Sequence, residues 1–436
     1  MAVRNTPVRT TVVGIVAVAT AVGLTACTAQ SSDTHPGAGK GTSSTGAGPS
    51  VSTPSSSPRP SLAAEITSLP AAGAKRVNPG KPFMIKVAHG TLSQVVMTNA
   101  AGTHVRGSMN AARTSWTTAE ALGYGKTYTV RSSARNADGK VTRSSEKIST
   151  LDPADQTTPT IVRIGNYPLT QNKKYGVAVV PVVHFDEPVH NFKAAEKAMT
   201  VTTSPTTVKG AWYWADNQDA HFRPQHWWPS GTTVTIHANL YGVKLAHGLF
   251  GSTDVSRTFR IGRKQVTVAD DNAPKVDKVR VYNAAGKLLR TMNTSMGEHS
   301  GETVNGQYIN FYTLDGTYTV LDHENPANMC SASYGLPANA PGGYGCEPIY
   351  WSTKISIDGI YLHELDTTEW AQNSGYDVSH GCLNMTGTNA KWYFNHSMDG
   401  DPVVIHGTKG APTLQVWEGG DWTVPWKKWV KGGVAA

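Results

Sequence analysis

From residue 62 onward the chain alternates short strand-like runs with turn signals, and this pattern constrains its fold more than any other feature. Phe83–Val87 and Lys126–Val130 have strand composition, while Asn99-Ala100-Ala101-Gly102 and Asn136-Ala137-Asp138-Gly139 read as reversals. Period-two runs with frequent turns cannot pack as a bundle of long helices, so the chain must close its apolar faces as sandwiches or barrels. The best helix is brief, Asn389–His396 after Thr386-Gly387-Thr388, and Val403–His406 then reads as a closing strand.

Too many residues follow position 62 for one ordinary domain. Residues 62–152 predict a first sandwich. Leu122 lies six residues before Tyr128, the spacing of a tyrosine corner, which makes an immunoglobulin-like fold the specific expectation. A second immunoglobulin-like sandwich is expected over 153–263, where Trp228-Pro229-Ser230-Gly231 leads into Thr232–Ile236 and echoes the turn-then-strand pattern. Its tryptophans are read as core and interface residues, not sugar platforms. A mostly β third domain spans 264–408. The tail, 409–436, carries Trp417, Trp422, Trp426 and Trp429 and is expected to cap the second and third domains.

The N-terminus speaks to compartment. Arg4 and Arg9 precede an apolar stretch, Thr11–Gly23, that is short for a membrane span. Leu24-Thr25-Ala26-Cys27 then resembles the lipobox of bacterial lipoprotein precursors, which implies removal of 1–26, lipidation of Cys27 and anchoring at the outer face of the cytoplasmic membrane. An ordinary secretory signal cut near Ala26 is the alternative, and both readings export the chain. Residues 27–61 are Ser, Thr, Gly, Pro and Ala with almost nothing apolar to bury, so they read as a disordered tether. Such a tether has a root-mean-square reach of roughly 30 Å.

Chemistry concentrates in Ser379-His380-Gly381-Cys382-Leu383-Asn384. A thiol attacks as the thiolate, so a base or positive charge must lower its pKa, and His363 and His380 are the candidates. Gly381 lets the backbone bend so that successive N–H groups aim at a developing oxyanion. The run Lys354–His363 reads as one strand, and period two puts Tyr361 and His363 on one face. Taken singly, a cysteine is most often a small buried hydrophobe and a histidine a satisfied core residue. The ordered set is what points to a nucleophile.

In that order the residues resemble the L,D-transpeptidase family with a YkuD-type catalytic domain, in its actinobacterial multidomain lipoprotein form. Its pattern is a strand histidine, about twenty residues, then Ser-His-Gly-Cys-x-Asn. Further matches are Thr294-Ser295-Met296-Gly297, Met329, Ser333-Tyr334-Gly335-Leu336-Pro337, Asn339–Tyr344 and Gly420–Trp426, so the similarity runs over about residues 155–436. The resemblance implies that Cys382 attacks diaminopimelate in a peptidoglycan tetrapeptide stem, releasing D-alanine. His363, oriented by the Glu364 carbonyl, then serves an acceptor stem to close a 3→3 crosslink. It implies oxyanion contacts from the N–H groups of His380, Gly381 and Cys382, with Ser379 and Asn384 holding the turn and the substrate. Tyr344 and Met329 would lie on a lid, Asp358 and Gly359 would touch substrate, and carbapenem β-lactams would acylate the thiol. No metal or organic cofactor is implied. Two departures stand out: Asp358 replaces a serine found in the family, and the indole expected soon after the histidine is displaced to Trp370.

With Cys27 assigned to lipid and Cys382 to catalysis, Cys330 and Cys346 remain in the lid segment, and outside the cell such thiols usually pair. Two free buried thiols are the alternative. Net charge is +8, with Arg4 and Arg9 in the signal. That dispersed excess suits anionic wall polymers or lipid headgroups and does not suggest nucleic acid. Competing readings are a carboxypeptidase or cysteine hydrolase using the same pair on water, and a wall-binding lipoprotein without activity. Metal ligation by His363, His380 and Cys382 lacks the paired spacing of structural zinc sites. Ser144-Ser145-Glu146-Lys147 fits S-x-x-K, but no K-T-G follows.

Overall fold

The computed structural model describes residues 60–272 and 275–434. The signal and lipobox residues, Cys27 included, lie outside them, as does nearly all of the tether. Among the described residues no helix is long and apolar enough to cross a membrane.

The first sandwich packs a four-stranded sheet, Glu65–Leu69, Met84–Ala88, Ser115–Thr118 and Gly107–Met109, against a three-stranded one, Thr91–Asn99, Thr127–Arg135 and Val141–Ser149. Strand Thr127–Arg135 shows how alternation builds the core: Tyr128, Val130 and Ala134 face inward and are buried. The Tyr128 hydroxyl accepts the Gly123 N–H at 2.8 Å. The corner bond thus falls one residue after Leu122, whose side chain is buried. Ser144–Lys147 sits within the strand Val141–Ser149, among the first sandwich's residues and apart from the domain that holds Cys382.

The second sandwich opposes a five-stranded sheet centred on Pro159–Arg163, Pro181–Phe185 and Asp219–Pro224 to a four-stranded one containing Asp254–Ile261 and Thr233–Asn239. It carries its own tyrosine corner, which the sequence reading missed: the Tyr175 hydroxyl accepts the Thr170 N–H at 2.8 Å, and buried Leu169 stands six residues before Tyr175. The two sandwiches meet through polar contacts. Tyr241 donates to the Leu122 carbonyl at 2.6 Å, and Tyr124 donates to that of Gly251 at 2.8 Å.

The third domain has a five-stranded sheet, ordered Leu288–Thr294, Asp277–Asn283, Gln265–Asp270, Pro402–His406 and Gly316–Thr319. A four-stranded sheet, Asp322–Glu324, Ser352–Lys354, Tyr361–Glu364 and Leu383–Met385, lies beside it, and one core joins them through Val279, Tyr318, Leu362, Leu383 and Tyr393. The helix is Gly387–His396, starting two residues earlier than its sequence pattern suggested. The run Lys354–His363 is not one strand. It is a hairpin, Ser352–Lys354 antiparallel to Tyr361–Glu364, turning at Asp358-Gly359 because Gly359 takes φ +105°, a backbone state that side chains disfavour.

Tryptophans of the tail bind it to both neighbours. Trp429 is fully buried, stacks on Tyr213 at 4.6 Å and donates its indole N–H to Ala211 at 2.9 Å. The Arg223 guanidinium lies 4.3 Å from the Trp429 ring centroid and 4.8 Å from that of Trp422. Thr423 accepts the Thr317 N–H at 2.8 Å, tying the tail to the third domain's five-stranded sheet. Trp417 is the exception, 71% exposed.

An ion cluster around the buried Asp399 joins the second sandwich to the third domain. Arg163 reaches Asp399 at 3.3 Å and the Leu321 carbonyl at 2.8 Å, and Lys173 meets the same carboxylate at 2.8 Å. Burial opposes ionisation of Asp399, but the His323 hydrogen bond, Arg163 and Lys173 outweigh it and hold the carboxyl down to about 2, against an ordinary 3.8. A lowered folded pKa contributes stability that is whole above about pH 4 and is lost as pH falls toward 2. The loss amounts to about 2 kcal/mol. Melting curves between pH 4.5 and 2 should show this component in the wild type and lack it in Asp399→Asn, which starts from a lower Tm.

Candidate active site

The strand Tyr361–Glu364 runs parallel to Leu383–Met385, with His363 opposite Asn384 and Leu362 opposite Leu383. Period two therefore turns Tyr361 and His363 on one strand, and Cys382 and Asn384 on its neighbour, to the same face, while Leu362 and Leu383 enter the core. All four polar-face residues line a cleft of about 680 Å³. Tyr344, Met329, Asp358, Gly359, Ser379 and His380 line it too.

The nucleophile turn hangs on the segment Thr294–Gly297. Asn384 donates its N–H to Ser295 at 2.9 Å and Ser295 donates back at 3.2 Å; Ser379 donates to Met296 at 3.1 Å and Glu298 to Ser379 at 2.9 Å. Gly297 is required by close approach, since a Cβ there would lie 2.1 Å from the Phe311 carbonyl oxygen. Its N–H donates to the Thr313 hydroxyl, which in turn donates to the Gly381 carbonyl, both at 2.8 Å. Within the turn, Ser379 donates its hydroxyl to the Cys382 carbonyl at 2.6 Å and accepts the Gly381 N–H at 3.1 Å. The Gly381 N–H is thus committed to the Ser379 hydroxyl, against the expectation that it faces an oxyanion.

His363 is buried, and its Nδ1 lies 2.8 Å from the Glu364 carbonyl oxygen. That contact places the proton on Nδ1 and leaves Nε2 with a free lone pair. Burial lowers the imidazole to about 4, against the smaller opposing effect of the Glu364 bond. Burial also pushes the Cys382 thiol up to about 12; the Tyr361 N–H acts the other way and the Asp358 carboxylate reinforces the rise. This reverses the expected lowering of the thiol pKa. At rest the pair is a neutral imidazole and a protonated thiol, and the sulfur lies 3.7 Å from the Gly359 carbonyl oxygen.

His380 packs its ring into the roof of the cleft. Its ring is edge-on to Phe311 at 4.3 Å and packs on Tyr344 at 5.6 Å and Tyr334 at 6.0 Å, and burial lowers its pKa. The lid it touches is closed at its base by a Cys330–Cys346 disulfide, beside the paired strands Ala327–Met329 and Glu347–Ile349. Ser331 staples the lid by donating to the Tyr344 carbonyl at 2.7 Å and accepting the Tyr344 N–H at 2.9 Å. Trp370 is 60% exposed and packs on Tyr376.

Residues 272–405 match the L,D-transpeptidase catalytic domain family, YkuD, and residues 74–244 match a bacterial Ig domain family. L,D-transpeptidase 2 of Mycobacterium tuberculosis is 36% identical over 378 residues, covering 86% of each chain. The chain belongs to the L,D-transpeptidase family. L,D-transpeptidase 5 of the same species is 31% identical, over 85% of this chain and 77% of that protein. Among solved structures, L,D-transpeptidase 3 from M. tuberculosis with a faropenem-derived adduct matches 55% of this chain and 96% of its own at 27% identity, with a TM-score of 0.42.

This L,D-transpeptidase gathers every cleft residue named from sequence into one face and one lid. The residues that reading missed as site components are Ser295, Met296, Thr313, Phe311 and Tyr334, which act through backbone bonds and ring packing. Ser295, Met296 and Tyr334 had the Thr294–Gly297 and Ser333–Pro337 matches as their signal, and Phe311 and Thr313 had none. Gly381 takes φ +124°, and a Cβ there would lie 3.2 Å from the Tyr312 carbonyl oxygen. Gly381→Ala should therefore slow thiol acylation by about tenfold or more, with Tm falling only slightly, measured by stopped-flow acylation and thermal melts. The pKa values predict a second result. Acylation needs unprotonated His363, so its rate should fall only as pH drops toward 4 and stay level between about pH 5.5 and 8. An inflection near 6.5 in that profile contradicts the buried neutral pair.

Proposed function

We propose that this enzyme forms 3→3 crosslinks between peptidoglycan stems. The observation that carries the reading is the shared face: a base with an oriented free nitrogen and a thiol on adjacent parallel strands, lining one lidded cleft. The Cys382 sulfur attacks the carbonyl of diaminopimelate in a tetrapeptide stem while His363 Nε2 takes the thiol proton. The N–H groups of His380 and Cys382 receive the developing oxyanion. Collapse breaks the peptide bond, and His363 passes its proton to the departing D-alanine amine. The resulting thioester is attacked by the side-chain amine of a second stem. His363 accepts that amine's proton and returns it to sulfur, so the thiol is regenerated.

Ser379 shapes the turn, Asn384 and Gly359 contact the donor, and Tyr344 and Met329 cover it. Asp358 puts a carboxylate where the family has a serine and so favours donors that carry positive charge or an amide there. Carbapenems enter the same cleft and acylate the same sulfur. Export and lipid anchoring through Cys27, with the tether giving stand-off from the membrane, suit a substrate in the wall; support for this part comes from the N-terminal sequence alone.

Intact-mass measurement after carbapenem exposure should show one adduct on the wild type and none on Cys382→Ala. Muropeptide analysis of the wild type should then yield 3→3 dimers; tripeptide alone would assign the enzyme to hydrolysis.

A further inference from the structure

Beneath the nucleophile turn lies a group of acids that the acyl-transfer chemistry does not use. Asp271 Oδ2, His299 Nε2 and an oxygen of Asp377 lie within 4.8 Å of one another. Asp277 is fully buried, and its carboxyl lies within hydrogen-bonding reach of Asp377. Each of these two aspartates spends one oxygen on a backbone N–H, Asp277 on Asn272 and Asp377 on Met296, both at 2.6 Å. The second oxygen of each is buried and takes no donor from any other described residue. Asp377 itself is 95% buried at the side chain, which is 5% accessible. No lysine or arginine among the described residues pairs with either. The basic group beside them is His299, 2.7 Å from Asp271 and 3.8 Å from Asp377.

We propose that Asp271, His299 and Asp377, backed by Asp277, bind one divalent cation of the zinc class. Buried carboxylates without a counter-charge must be neutralised by a proton or a cation. The unpartnered Asp377 Oδ2 and the Asp271 Oδ2, both beside the His299 imidazole nitrogen, form a donor set for a cation. The mixed nitrogen and oxygen ligands select a zinc-like ion over calcium or magnesium, which take oxygen alone. His299 leaves a route from solvent, its side chain being 30% exposed. The ligands are dispersed over positions 271, 277, 299 and 377, so no spacing motif announced the site in sequence.

The cation has a mechanical consequence. Asp377 holds the Met296 N–H, and the Met296 carbonyl accepts the Ser379 N–H at 3.1 Å. His299 stacks on Tyr312 at 5.7 Å, and Tyr312 lines the cleft. Metal binding therefore stiffens the support of the nucleophile turn without touching substrate.

The test uses the full chain carrying Cys27→Ala and Cys382→Ala, so that neither thiol takes up metal. After chelator treatment and dialysis, titration with zinc chloride should show one saturable equivalent and a raised Tm, with millimolar magnesium unable to compete. Affinity should fall at least tenfold in His299→Ala and in Asp377→Asn. X-ray absorption on the zinc-loaded parent should show one imidazole with carboxylate oxygens at about 2.0–2.2 Å. Absence of saturable binding overturns the proposal. So does affinity unchanged in both variants, or a shell of several imidazoles, which would mark surface histidines. The absorption result decides the matter even where a variant does not fold.

Discussion

Backbone hydrogen bonds between Thr294–Gly297 and Ser379–Asn384 carry the catalytic domain. They join the edge of the five-stranded sheet, through Leu288–Thr294, to the strand that bears the nucleophile. Loop backbone at a buried site must find partners for its N–H and C=O groups, and here each segment supplies the other. The glycines at 297 and 381 and the hydroxyls of Thr313 and Ser379 complete the same network. The sulfur is thus placed by main-chain geometry, which holds it more firmly than side-chain contacts would.

Burial then decides the electrostatics. It lowers His363 and raises Cys382, so the resting site stores no ion pair. A neutral pair costs less to bury than an imidazolium–thiolate pair. It also leaves the thiol protonated, and hence less reactive, when no substrate is bound. The lid works with this arrangement: His380 spends its side chain on Phe311, Tyr334 and Tyr344, so the residue next to the nucleophile also fixes the roof.

The second sandwich and the catalytic domain hold one another by contacts that are both buried and charged. Arg163 and Asp399 bring opposite charges together where water is scarce, and the tail lays three indoles around Arg223. The first and second sandwiches meet through neutral groups, Tyr124, Tyr241 and Asn78 each bonded to backbone of the facing domain.

Residue order alone determined the mainly β class, the first tyrosine corner, the family and the two residues, Cys382 and His363, that come to line one cleft. These are local or motif-borne: strand alternation reports burial on one face, and Ser-His-Gly-Cys-x-Asn is contiguous. It did not reveal that Lys354–His363 folds back at Gly359, because apolar residues flank a turn whose only mark is one Asp-Gly pair. The second corner at Tyr175 was equally hidden among short strands. Only tertiary structure could decide that the Gly381 N–H turns to Ser379, that the thiol pKa rises instead of falling, and that four acids and bases from 271 to 377 meet. Each depends on what surrounds a group in space, and desolvation, orphaned oxygens and backbone partners are set by neighbours far away in the chain.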